Sequence, residues 1–284
     1  MSTTWFGDAE PPKPRLTLWG GVLVVLRGLP LAVVVFGGLA LLLLLRLFER
    51  PLYGAHRPLT PAITVFVCRA ALRIIGLRLQ VTGRPANGQG AAVANHSSWL
   101  DIFVLNASKR IYFVSKSEVA GWPGIGWLAR ATGTVFIARN RAQASAQAEL
   151  FKQRLSAGHR LLFFPEGTSS DGQRVLPFKT SLFAAFFAPE LRETLQVQPI
   201  SVTYTAPDGA DPRFYGWWGG MDFGSHLLTM LAWPKHGRVH VIYHDLLKIA
   251  DHTDRKTLAA ACEVQVRAGF DTHRPTVVGS VEKG

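Results

Sequence analysis

The chain has 284 residues, 48% of them hydrophobic, which is room for one catalytic domain plus membrane-embedded segments. Its formal net charge of +12 calls for an anionic partner. The bases are dispersed and no nucleic-acid-binding motif is present, so an acidic lipid surface explains them better than a nucleic acid. Cys68 and Cys262 show no pairing or metal spacing, and the nine histidines form no His-Glu-x-x-His pattern, so neither a disulfide framework nor a zinc signature is present.

In chain order, the first element is apolar. Gly28 to Leu45 holds eighteen residues without a charge, bracketed by Arg27 and Arg46, and Leu16 to Leu26 extends it upstream. At roughly −0.3 to −0.6 kcal/mol per central Leu, Ile, Val or Phe, this run is expected to enter lipid. It is too long, and too far from any small-residue cleavage site, to be a secretory signal. Eighteen residues are near the lower end for a spanning helix, and Pro30 and Gly37-Gly38 weaken it. Ile63 to Leu77 is apolar too, but Arg69 and Arg73 stand one helical turn apart. That pattern suits an interfacial helix whose arginines reach headgroups; a buried helix of the soluble domain is the other reading. The expected organisation is a membrane-anchoring helical segment over 1–76 and an α/β domain over 77–284.

Within that domain the strand candidates are Leu77 to Val81, Ala91 to Ala94, Ile111 to Val114, Thr134 to Ala138, Arg160 to Phe164, Val197 to Tyr204 and Arg238 to Tyr243. Arg141 to Ala157 is the clearest helix, with Leu150, Phe151 and Leu155 as its apolar stripe and Gly158 as its stop. From Pro207 to Pro234 the chain is rich in Gly, Trp and Phe, which suits either a membrane-facing, acyl-lining surface or packed core.

The chemistry concentrates in Ala94-Asn95-His96-Ser97-Ser98-Trp99-Leu100-Asp101. A histidine can take a proton from an alcohol, and a nearby carboxylate can fix its tautomer and stabilise its charged form. Five positions on a regular helix turn through about 500°, which separates the two side chains. They meet only if His96 lies in a loop and Asp101 in the first turns of the following helix. A short buried strand, Ala91 to Ala94, and an apolar helix from Trp99, capped by Ser97 or Ser98, allow that geometry. Gly133 to Arg139 ends a second strand on a base, and Leu161 to Thr168 ends a third on Pro165-Glu166-Gly167-Thr168. Strand ends are where α/β sheets assemble ligand sites.

In order and separation these stretches resemble the glycerolipid acyltransferase family, whose blocks read Asn-His-x4-Asp, Gly-x-x-Phe-Ile-x-Arg and Phe-Pro-Glu-Gly-Thr. A fourth block, hydrophobic-Pro-hydrophobic, is answered by Val197-Gln198-Pro199-Ile200, and the resemblance covers about residues 75 to 205. It implies a mixed α/β sheet flanked by helices, with a helical hairpin embedded in one leaflet. It also implies transfer of an acyl group from acyl-CoA or acyl carrier protein to a lysolipid hydroxyl, with no further cofactor and no metal. His96 is then the general base and Asp101 its orienter, with no covalent acyl-enzyme. Asn95, Ser98, Phe136, Arg139, Glu166, Gly167, Thr168 and Lys179 are the implied substrate-binding set, Arg139 as the phosphate-binding arginine and Glu166 to Thr168 as the acceptor block.

One departure bears on the acceptor. Members acting on lysophosphatidic acid commonly carry Arg directly after Glu-Gly-Thr, where this chain has Ser169. A charge-assisted bond is worth about 1.5 to 3 kcal/mol, so either Lys179 or Arg174 substitutes or the acceptor has no phosphate. The run Thr168 to Gly172 also looks like the branch that acylates lyso-ornithine lipid. With Arg139 retained, lysophosphatidic acid leads, lyso-ornithine lipid follows, and an inactive membrane-anchored lipid-binding scaffold is the reading from another class. Access to a cytosolic donor places the domain on the cytoplasmic face of a membrane, the bacterial inner membrane.

Overall fold

A computed structural model describes residues 4–7, 9–11, 16–122, 124–137 and 144–273. Two helices lead, α1 (Leu18–Tyr53) and α2 (Thr60–Ile75), followed by β1 (Arg78–Thr82), β2 (Gly90–Ala94), α3 (Leu100–Ser108) and β3 (Tyr112–Lys116). Then come α4 (Ile125–Thr132), β4 (Val135–Ile137), α5 (Ala144–Ser156) and β5 (Arg160–Phe163). A 3-10 segment (Thr180–Phe187) leads to α6 (Pro189–Arg192), β6 (Gln196–Thr205), α7 (Phe223–Ala232), β7 (Arg238–Tyr243), β8 (Leu247–Lys248) and α8 (Arg255–His273).

The strands form one mixed sheet in the order β1-β7-β6-β2-β5-β3-β4, with β8 beside the start of β6. β2 runs parallel to both neighbours, β5 and β6, while β7 is antiparallel to β6. Successive residues of β2 point to opposite faces, and both faces are covered. Ala92 and Ala94 meet Leu72 and Ile75 of α2, Leu100 and Val104 of α3, and Met230 of α7. Ala91 and Val93 share the other core with Phe151 and Leu155 of α5, Phe183 and Phe186 of the 3-10 segment, and Cys262, Val266 and Phe270 of α8. The expected strands are all present, and β8 is one that sequence reading did not anticipate.

The apolar front end is one continuous helix of 36 residues that passes through Pro30 and Gly37-Gly38. Gly38 has a packing role: a Cβ there would collide with Val67, so its absence lets α1 lie against α2. Arg27 is not a bare flanking charge either. Its guanidinium donates to the carbonyls of Leu231, Trp233 and Pro234, tying α1 to the C-terminal end of α7. Between the helices, Glu49 receives the amides of Leu59 and Thr60 and the Thr60 hydroxyl, which closes the N-terminus of α2.

The opposite side of α1 is bare, with Val22, Val25, Leu29, Val33, Phe36, Leu44, Leu47 and Phe48 among its exposed residues. α2 packs one face on the domain. Cys68, Ala71, Leu72 and Ile75 are buried, whereas Phe66 is exposed. Arg69, expected at headgroups, donates from Nε to the Ala107 carbonyl at the end of α3 instead (2.8 Å).

Candidate active site

β2 and β5 lie side by side and parallel, with Val93 opposite Phe163. The chain leaving β2 at His96 therefore meets the chain leaving β5 at Phe164-Pro165-Glu166, at the carboxyl ends of adjacent strands. His96 occupies the loop and Asp101 the first turn of α3. His96 Nδ1 lies 2.8 Å from Asp101 Oδ2. A carboxylate can only accept, so Nδ1 carries a proton, and in the neutral ring Nε2 is the atom with the lone pair.

Asp101 is wholly buried and organises the turn around it. Oδ2 also receives the amides of Ser97 (2.8 Å) and Ser98 (3.0 Å), while Oδ1 receives the Tyr204 hydroxyl from β6 (2.7 Å). The expected serine cap is thereby largely replaced: Ser98 Oγ receives the Leu100 amide at a long 3.4 Å, and the carboxylate does most of the capping. Burial beside Asp101 pushes the Tyr204 phenol well above its ordinary range, which keeps it a hydrogen donor.

The imidazole is held from a second side by Phe164, whose ring stacks on it at 4.0 Å and 12° and in turn lies 5.8 Å from Phe113. Backbone ties fix the loop itself. Glu166 Oε1 receives the His96 amide (2.6 Å) and Oε2 the Leu176 amide (2.7 Å). The carbonyl of His96 accepts from the Ser170 amide, and that of Ser97 from the Trp217 amide, each at 2.9 Å. Complete burial drives the Glu166 acid well above the usual carboxylate range, with its two backbone donors opposing the shift only in part.

The remaining members of the implied set are distributed as follows. Asn95 is fully buried and pairs with Val202 of β6 at both ends, Nδ2 to the carbonyl and Oδ1 from the amide. Asn95 and Glu166 are thus both engaged with backbone groups of the fold. Gly167 turns the chain in the left-handed region at φ 72°, a conformation other residues adopt only with strain. The Thr168 hydroxyl receives the Trp5 amide (3.2 Å). The Lys179 amide donates to the Pro165 carbonyl, so that residue lies next to the block. Phe136 is half-buried on β4, and Arg139 lies outside the described residues.

A family model described as Acyltransferase matches residues 78–203. A lyso-ornithine lipid O-acyltransferase of Rhodobacter capsulatus is 57% identical over 266 residues, spanning 94% of this chain and 96% of that protein. This chain belongs to the acyltransferase family. A 1-acyl-sn-glycerol-3-phosphate acyltransferase of Neisseria gonorrhoeae is 40% identical over 119 residues, 40% of this chain and 46% of that relative. In fold, the chain matches the crystal structure of the 1-acyl-sn-glycerophosphate acyltransferase of Thermotoga maritima with a TM-score of 0.61 and 21% identity, over 90% of this chain and 94% of that one. The protein is thus an acyltransferase of lysolipids, and its mixed sheet is the acyltransferase fold.

Three contributors to the site escaped the sequence reading: Tyr204, Phe164 as a stacking partner, and Trp217. Tyr204 carried a usable signal. It shares a face with Ile200 and Val202 at strand spacing, and a buried tyrosine needs a partner for its hydroxyl. The aromatic stretch after Pro207 is mostly packed core, since Phe214, Tyr215 and Trp218 are buried. Its one histidine, His226, is structural: the Trp99 indole donates to His226 Nδ1, and His226 Nε2 faces the Phe214 carbonyl.

Proposed function

We propose that the protein transfers a fatty acyl group from an acyl thioester to the hydroxyl of lyso-ornithine lipid, with His96 as general base. The observation that carries the mechanism is the pairing of Nδ1 with buried Asp101, which leaves Nε2 as the acceptor on a ring still 20% exposed. Nε2 takes the proton of the acceptor hydroxyl as its oxygen attacks the thioester carbonyl. The thiolate leaves and regains that proton from the imidazolium, so one ester forms, one thioester breaks, and no acyl-enzyme intervenes. Asp101 favours the imidazolium, and Tyr204, Ser97 and Ser98 hold Asp101. Asn95 and Glu166 act by positioning the loop.

Two observations support the aminolipid over lysophosphatidic acid. No guanidinium follows Thr168, and the strongly matching Rhodobacter relative is named for lyso-ornithine lipid. Acyl-CoA or acyl carrier protein supplies the acyl group from the cytoplasmic side of a bacterial inner membrane.

We further read α1 as embedded in one leaflet. At 36 residues it is about 54 Å long, against a hydrocarbon core of about 30 Å. It also packs lengthwise on the domain, at Arg27 against α7 and at Gly38 against α2, while its outer face is apolar. An upright helix would carry the domain into the bilayer. Arg46, Arg50, Arg57 and Arg130 line an open cleft of about 530 Å³ at the C-terminal end of α1, which suits anionic headgroups.

The test is transfer by the detergent-purified protein and its His96→Ala variant to lyso-ornithine lipid, with acyl-CoA and acyl carrier protein donors in parallel. His96-dependent product is expected. Equal product from the variant, or none from the native protein with either donor, would sink this reading.

A further inference from the structure

We infer that Trp5 is a positioning residue of the acceptor side of the site, through a strap formed by the N-terminal segment. Trp5 bridges two loops that are distant in sequence. Its amide donates to Thr168 Oγ1 (3.2 Å), and its carbonyl accepts from the Gly219 amide (3.1 Å). Those two loops are the ones that hold the base. Two residues beyond Thr168, the Ser170 amide binds the His96 carbonyl; two residues before Gly219, the Trp217 amide binds the Ser97 carbonyl. The loops also touch directly, because Gly216 backs onto Asp171 so closely that a Cβ would collide with its carbonyl.

The strap is anchored by its ring. The Trp5 indole lies 6.3 Å from that of Trp218, and the Arg174 guanidinium stands over it at 5.4 Å. Farther along, Arg213 donates to the Ala9 carbonyl (2.9 Å) and stands over Trp218 at 5.9 Å. Removing the indole leaves the two backbone bonds possible but unanchored. Both lie at solvent-reachable positions, where a loose strap exchanges them for water.

The consequence is specific because of where the strap lands. Thr168 closes the Glu166-Gly167-Thr168 block that the family resemblance gives to the acceptor, and the next position is Ser169, where members acting on lysophosphatidic acid commonly carry an arginine. The strap therefore shapes the headgroup side of the site and leaves the Asp101 side untouched, since Asp101 has its own four donors. The inference rests on the lysolipid acyltransferase reading for its kinetic consequence, but its structural consequence can be measured without turnover.

Two measurements on Trp5→Ala, Trp5→Phe and the native full-length protein in detergent test it. In hydrogen–deuterium exchange, Trp5→Ala is expected to speed exchange in segments 168–172 and 216–219, with the α8 core unchanged and Trp5→Phe close to native. Unchanged exchange in both segments overturns the inference, whatever the activity. In initial-rate kinetics with lyso-ornithine lipid, the acceptor KM is expected to rise about three- to tenfold in Trp5→Ala, the worth of one aromatic anchor, with the donor KM unmoved and Trp5→Phe largely restored. A native enzyme that is active while Trp5→Ala keeps its acceptor KM overturns the inference and leaves the proposed reaction standing. A native protein without His96-dependent transfer counts against the reaction, and the exchange data then decide on Trp5 by themselves.

Discussion

In the loop after β2, Asp101 is fully buried and receives four hydrogen bonds from His96, Ser97, Ser98 and Tyr204, whereas α1 leaves a long row of Leu, Val and Phe side chains uncovered. The first region works through a few directional bonds, each costing about 1–3 kcal/mol when one partner is left alone in the interior. The second works through area, at roughly 25 cal/mol per Å² of apolar surface removed from water. The site is therefore brittle to single changes, and the apolar face of α1 is tolerant of them.

That contrast is broken most sharply at Asp101. Asp101→Asn places an amide NH₂ among groups that are all donors and unsettles the His96 tautomer. The expected fall in turnover is on the order of 10²- to 10⁴-fold, the range of base catalysis, measured at saturating substrates. Tyr204→Phe comes next. It strips the donor from Oδ1 alone, and a loss of about 1–3 kcal/mol in unfolding free energy is expected, with a smaller fall in turnover than for Asp101→Asn. A Tyr204→Phe enzyme as stable and fast as the native one would show that the carboxylate needs no fourth donor.

The pH dependence of stability extends the contrast to the rest of the buried polar groups. Burial depresses His159, His226 and His236 from 6.5 to about 4. Between those values the unfolded chain binds protons that the folded one refuses, so stability falls as the pH is lowered from 6.5 toward 4. Glu166 has the opposite sign, because its burial raises the folded acid and contributes stability at low pH that is lost as the pH rises. Thermal melts at stepped pH are expected to show the acid loss, and Glu166→Gln is expected to steepen it. A flat profile for the native protein would contradict the buried neutral imidazoles.

The smallest effect on turnover belongs to α1. Leu47→Ser removes one exposed side chain from the apolar face and is expected to weaken vesicle partitioning by no more than about 3 kcal/mol, with turnover in detergent unchanged. Loss of turnover in detergent would mean that α1 shapes the site itself.

Much of this arrangement was legible before the structure. The parallel neighbours β2 and β5 are buried on both faces and read as short apolar runs, and the Asn95-His96-x4-Asp101 spacing has one local solution, a loop running into a helix. Tyr204 was not legible in that way, because its partner is 103 positions away and only the sheet brings β6 beside β2. Arg27 and Arg69 read as flanking or interfacial charges because nothing local reveals that each meets the carbonyl end of another helix. Gly38 read as a helix weakness for the same reason, since its value lies in Val67 of α2. β8, two residues long, carries no period to detect.

The measurement that tests the central claim most directly is a competition in one detergent reaction, with equal lyso-ornithine lipid and lysophosphatidic acid, a single acyl thioester, and the His96→Ala protein as blank. The account predicts that the native enzyme converts lyso-ornithine lipid in clear preference, in keeping with Ser169 where a phosphate-binding arginine would stand. Preferential conversion of lysophosphatidic acid would contradict it and would mean that another cation holds the phosphate.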